Sequence, residues 1–163
     1  MGYFIEGNTT IRDVHRPFFG TGKQQKTSVT TEVAICTIRA KSTYASKTNF
    51  IESMLMGVSA AIEAGATNNL AYVRIVKNAT LGGSPSYSDI NANNSTVEID
   101  TAGTTVTGGT ELFGEGLAGK NDKFAFDFRN WQVVIEPGDT ITISAESANS
   151  ATIDAAITWQ ELF

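Results

Sequence analysis

The sequence predicts an all-β protein: an antiparallel β-sandwich of the jelly-roll type, preceded by an extended N-terminal arm. Three observations lead there. The last forty residues alternate apolar and polar side chains with a period of two, as strands with one buried face do. Turn residues punctuate the chain at short intervals, with no alternation of strand and helix patterns. Asn, Thr, Ser and Gly are abundant, while charged residues make up only 18% of the 163. Lys and Glu, which fill exposed helix faces, are therefore scarce. A chain of this length suits one domain and buries enough surface to fold without staples.

The C-terminal third carries the clearest pattern. Phe124, Phe126 and Phe128 alternate with Ala125, Asp127 and Arg129. Val133-Val134-Ile135 then runs into Glu136-Pro137-Gly138-Asp139. Pro presets φ at the first central position and Gly accepts positive φ at the second, which is a type II turn. Residues 140–145 alternate again. Beyond an Asn149-Ser150 turn, Ile153, Ala155, Ile157 and Trp159 point one way, with Thr152, Asp154, Ala156 and Thr158 pointing the other. Further strands are expected over 29–40, 70–76, 95–100 and 104–107, with a polar loop over 82–95. Residues 49–64 read two ways. Ile51, Leu55, Val58 and Ile62 follow helical spacing, yet Phe50, Glu52, Met54, Met56, Val58 and Ala60 share one strand face. Their neighbours favour strand.

Residues 1–28 differ from the body, 29–163. They hold clustered aromatics, Pro17, a Gly20-Thr21-Gly22 punctuation and no periodicity. Arg12, Arg16, Lys23 and Lys26 stand against Glu6 and Asp13, so of the total charge of −5 this segment carries about +2 and the body about −7. An acidic body argues against nucleic acid as a partner. Extended, 28 residues span about 90 Å, against a body whose radius of gyration is about 14 Å. Exposed aromatics on such an arm need a cover, from its own body or a neighbour. Tyr3, Phe4, Ile5, Arg12, His15, Arg16, Phe18 and Phe19 are accordingly the candidate interface residues.

No catalytic constellation emerges, and no enzyme activity is expected. The single histidine, His15, lies in the irregular arm, and no Gly-x-Ser-x-Gly elbow is present. One Cys and one His do not make a zinc site. Cys36, in Val33-Ala34-Ile35-Cys36, reads as a buried small hydrophobe. Asp127, Asp139, Glu146 and Asp154 are available as paired carboxylates, but solvated strand faces account for Asp127 and Asp154. Asp89, Asn91, Asn93 and Asp100 have spacing reminiscent of a calcium loop, yet Asn94 replaces the required Gly and the final ligand is not Glu. No cofactor is expected. The N-terminus lacks a basic n-region and long apolar core, and no apolar run approaches membrane-spanning length, so a soluble protein made in a cytoplasm is expected. The sequons at Asn8, Asn78, Asn93 and Asn94 then reflect composition alone.

Several segments resemble uncharacterised jelly-roll proteins of tailed bacteriophages. These are Leu81-Gly82-Gly83-Ser84-Pro85-Ser86-Tyr87-Ser88-Asp89-Ile90, Asn94-Ser95-Thr96-Val97-Glu98-Ile99-Asp100, Thr105-Val106-Thr107-Gly108-Gly109-Thr110-Glu111, the Glu136 to Thr142 turn and the closing Ile157-Thr158-Trp159-Gln160-Glu161. The resemblance covers most of 27–163 and rests on turns and strand ends. It implies a structural virion protein assembled in the host cytoplasm: a capsid decoration or cement subunit, or a head- or tail-associated fibre component. The partners it implies are major capsid or tail proteins, and the assembly a homo-oligomer, with a trimer favoured. It brings no catalytic residues. The alternative is a carbohydrate- or receptor-binding module, with Tyr44, Tyr72, Tyr87 and the 91–94 loop as contacts.

Overall fold

The computed structural model describes residues 18–65, 69–100 and 102–163. Its strands are β1 (Phe18–Val29), β2 (Val33–Ala40), β3 (Thr43–Tyr44), β4 (Lys47–Thr48), β5 (Ser53–Ala64), β6 (Ala71–Lys77), β7 (Thr80–Leu81), β8 (Tyr87–Asp89), β9 (Val97–Asp100), β10 (Val106–Thr107), β11 (Thr110–Leu117), β12 (Lys123–Asp127), β13 (Val134–Ile135), β14 (Thr140–Ser147) and β15 (Ala151–Glu161). Two sheets face each other. One runs β1-β15-β5-β12, with β13 also pairing β5; the other runs β11-β6-β14-β2-β9-β8. Both are antiparallel throughout. Lettered B to I in chain order, the eight long strands pair as B-I-D-G and F-E-H-C, the connectivity of a jelly roll. β8 and β9 extend the second sheet beyond β2.

The core is the sum of the alternations. β15 contributes Ile153, Ala155, Ile157 and Trp159, facing Cys36 and Ile38 of β2, Ile141, Ile143 and Ala145 of β14, and Val73 and Ile75 of β6. Burying each large aliphatic side chain contributes roughly 1.5–3 kcal/mol. β5 resolves its double reading through a bulge. Thr158 pairs Gly57 but Trp159 pairs Leu55, so Met56 is an extra residue. Leu55, Val58 and Ile62 all face inward despite helical spacing, while Phe50 lies before the strand and is 84% exposed.

Each rim of the sandwich closes differently. Between β11 and β12, Phe113 stacks on Phe126 at 4.2 Å, and Phe126 and Phe128 meet edge-on at 4.8 Å. Trp131 caps both. At the other rim β1 crosses over Trp159, Ile38 and Ile99, and it does so through glycines. A Cβ at Gly20 would lie 2.2 Å from the Trp159 ring, and one at Gly22 3.0 Å from Ile99. Residues 18–28, expected in the arm, are thus the first strand of the sandwich, since ladder pairing to β15 overrides their weak periodicity. Residues 1–17 lie outside the described residues. The expected strand over 29–40 breaks at 30–32, and the expected loop over 82–95 contains β8, whose three residues are too few to betray alternation. β11 was not foreseen, because Gly114 and Gly116 blur its pattern.

A buried carboxylate ties the sheets together. Glu161, fully buried at the end of β15, accepts hydrogen bonds from Ser95 Oγ (2.5 Å), the Thr96 amide (2.6 Å), Thr96 Oγ1 (2.7 Å) and Trp159 Nε1 (3.0 Å). Ser95 and Thr96 lead into β9 of the opposite sheet. The turn at 136–139 has its expected form, with Gly138 at φ +99° and the Asp139 amide donating to Glu136 O at 2.8 Å. Burial alone would raise the Asp139 carboxyl. Lys77, Asn78 and the Glu136 amide outweigh that and hold it below the ordinary range.

Two outcomes follow for stability. Glu161→Ala removes the acceptor of four donors, of which, among the described residues, only Ser95 Oγ has another within reach, Val97 O at 3.4 Å, so chemical denaturation should register a loss of at least about 3 kcal/mol, and Glu161→Gln about 2 kcal/mol; a neutral Ala variant would disprove the tie. Asp139 has a folded-state pKa below its unfolded value, so its contribution is present at neutral pH and disappears as pH falls through the folded value. Asp139→Asn should cost about 1 kcal/mol at pH 7, a difference from wild type that disappears as pH falls through the folded-state value. Urea titrations across pH measure it.

Candidate docking surface

β1 is an edge strand, and its register fixes where the preceding chain is joined. Phe18 pairs Glu161, and the ladder continues to Val29 opposite Ala151, with a shift after Lys26. Inward positions carry Gly20 and Gly22, seated as described, then Gln24 and Lys26, whose Nζ donates to Gly103 O at 3.2 Å. The opposite edge of β1 has no strand partner among the described residues. Of the candidate interface residues, Phe18 is half-buried and Phe19 is 62% exposed. Tyr3, Phe4, Ile5, Arg12, His15 and Arg16 lie outside the described residues.

The outer face of this sheet was not anticipated. Its rows read Lys123, Ala61, Asp154, Gln25; then Ala125, Ser59, Ala156, Lys23; then Asp127, Gly57, Thr158, Thr21. The middle of the face is floored by Ala, Ser, Gly and Thr, leaving two neighbouring depressions of about 610 and 490 Å³. Charge lies around them. Lys23 Nζ is 3.7 Å from Asp154 Oδ2, and Arg129 pairs with Asp127, whose carboxyl it holds down at about 2. Asp127 is thereby a surface ion-pair member, whereas Asp154 is largely covered, its Oδ1 buried and without a hydrogen-bond partner among the described residues. Small residues on alternate positions of β5, β12 and β15 are the signal that sequence reading passed over.

The other candidates disperse. Tyr44 donates to Asn93 O at 2.6 Å, so the fold joins that tyrosine to the 91–94 loop. Tyr87 lies under the Arg39 guanidinium at 3.7 Å, and Tyr72 sits far along the chain on β6. The calcium-like spacing does not converge. Asp89 pairs Lys41, Asn91 caps its own turn, and Asp100 is buried, accepting the amides of Ser86, Ala102 and Gly103. Among the described residues no three His, Cys, Asp or Glu side chains cluster as metal ligands, and no helix is long and apolar enough to cross a membrane.

No family model matches the sequence, and no curated protein does. Two solved structures of infectious bursal disease virus contain similar chains. For the Gt strain the identity is 9% and the TM-score 0.18, over 100% of this chain and 45% of that one. For the T13 viral particle the values are 11% and 0.16, over 100% and 44%. This chain thus spans less than half of each, and similarity at this level carries no conclusion about role.

Cys36 offers a probe of the β1 seat. Burial, reinforced by the Asp100 charge, pushes its thiol up to about 12, and its Sγ lies 3.7 Å from Gly22 O beneath β1. Thiolate is therefore scarce at pH 8, and an alkylating reagent should modify the native protein about a thousandfold more slowly than the urea-unfolded chain. Equal rates would mean that β1 does not cover the core in solution.

Proposed function

We propose that the protein is a structural component of a virus particle that acts through the surfaces it presents. In its finer form the proposal is a decoration or cement subunit on a tailed-bacteriophage capsid, associating as a trimer and held by residues before β1. The observation that carries this reading is the seat of β1. The strand is fixed to β15 along its length and locked over Trp159 by Gly20. The 17 residues preceding it, with their aromatics and Arg12, His15 and Arg16, are joined to the sandwich at Phe18, at its rim. Extended, they reach about 55 Å. A tether rooted in an edge strand paired along its length to β15 passes load into the sheet, which suits a subunit that must stay on a particle. Exposed Phe19 beside that junction provides apolar surface for a partner to cover.

Deletion tests the tether, and the structure sets where it must stop. Removing 1–17 should leave thermal unfolding within a few degrees of wild type and reduce incorporation into purified particles at least about tenfold. Removing 1–28 also removes β1 and uncovers Trp159, and should abolish folding. Normal particle stoichiometry of the 1–17 deletion, measured by quantitative mass spectrometry, would refute the tether. A monomer in both solution and particle would refute the trimer.

A further inference from the structure

β11 contains two glycines in mid-strand, where glycine weakens pairing and packs nothing. Gly114 has a reason within the chain: Tyr72 leans diagonally across it, and a Cβ there would lie 2.1 Å from the tyrosine oxygen. Gly116 has none among the described residues. It sits directly opposite Tyr72 in the ladder, its φ is ordinary, and no described residue lies within 4 Å of where its Cβ would be. Every other strand glycine, at 20, 22, 57 and 114, meets a neighbour. A strand glycine with vacant space marks a place that something else approaches.

The vacancy opens into a depression of about 610 Å³, within the range of small-molecule sites. Tyr72, 42% exposed, forms one wall; its ring is held across Gly114 and its hydroxyl donates to Glu111 at 3.4 Å. Leu70, 64% exposed, extends the apolar side. On the opposite flank Glu146 of β14, the cross-strand neighbour of Tyr72, carries an exposed carboxylate with no partner among the described residues. A steadied aromatic ring beside a free acceptor matches a ligand with one C–H face and a rim of hydroxyls. We propose that this depression binds a neutral pyranose, its C–H face on Tyr72 over Gly116 and its hydroxyls donating to Glu146. The adjoining Glu146 and Glu111 charges reject acidic sugars. The inference stands independently of any place in a particle: loss of particle docking in the 1–17 deletion leaves it untouched.

The test titrates the full chain with methyl α-glucopyranoside, methyl β-galactopyranoside, N-acetylglucosamine and N-acetylneuraminic acid, following backbone amides by NMR. At least one neutral sugar should shift residues 70–72, 116–118 and 146–148 with a dissociation constant of the order of 1–10 mM; N-acetylneuraminic acid should not. Gly116→Val fills the vacancy with a residue that favours strands, so its thermal midpoint should not fall while binding weakens at least about tenfold. Glu146→Gln, an isosteric surface change, should weaken binding about three- to tenfold. No response from any neutral sugar at about 50 mM, or wild-type affinity in either variant, overturns the proposal.

Discussion

Burying a carboxylate is costly unless every lone pair finds a donor, and the geometry around Glu161 meets that condition with four. The donors come from two places: Trp159, two residues back on the same strand, and the Ser95-Thr96 pair entering β9 of the other sheet. The carboxylate can therefore be satisfied only when β15 has the right register and the sheets have the right separation. Fixing β15 fixes much else. Its two neighbours, β1 and β5, take their alignment from it, and Trp159, oriented through its indole nitrogen, forms the surface over which Gly20 must pass. A slip of one residue would put Trp159 outside and Glu161 under nothing. One polar contact thus selects among sandwiches that apolar packing alone would leave close in energy.

Most of the architecture was legible because alternation is a local signal. The strands of the last forty residues, the Pro137-Gly138 turn and the buried role of Cys36 needed only sequence neighbours. What escaped was decided across the chain. The helical spacing of Leu55, Val58 and Ile62 comes from one inserted residue, Met56, whose place is visible only opposite Thr158 and Trp159. β1 lacks an alternating pattern because its inward side chains are missing, Gly20 and Gly22 having yielded their space to Trp159, Ile38 and Ile99. Glu161 reads in sequence as an ordinary charged strand end; three of its four donors lie more than sixty residues away. The small-residue outer face and the vacancy at Gly116 were hidden for the same reason, since a surface is assembled from strands that are distant in sequence.

Glycines therefore carry three meanings here. In the turn at Gly138 one supplies a positive φ that other residues resist. At Gly20, Gly22 and Gly114 the missing side chain is replaced by a neighbour's ring or methyl group, so the cost in strand propensity is offset by packing. At Gly116 no described residue replaces it. Only the last is unexplained by folding, which separates a site that serves a ligand from sites that serve the fold.

The two proposed surfaces stand in a definite relation. Phe18 begins β1 at the end of the sandwich that holds Glu161, and the chain before it is joined there. β1 then runs twelve residues, about 36 Å at about 3.3 Å per residue, before Thr30 turns to join the lining of the Tyr72 depression. Tether and sugar subsite consequently occupy opposite ends of the same strand. The strand to which the proposed tether is joined also contributes the turn that lines the proposed subsite, and Phe18 and Thr30 place the two about the length of β1 apart along it.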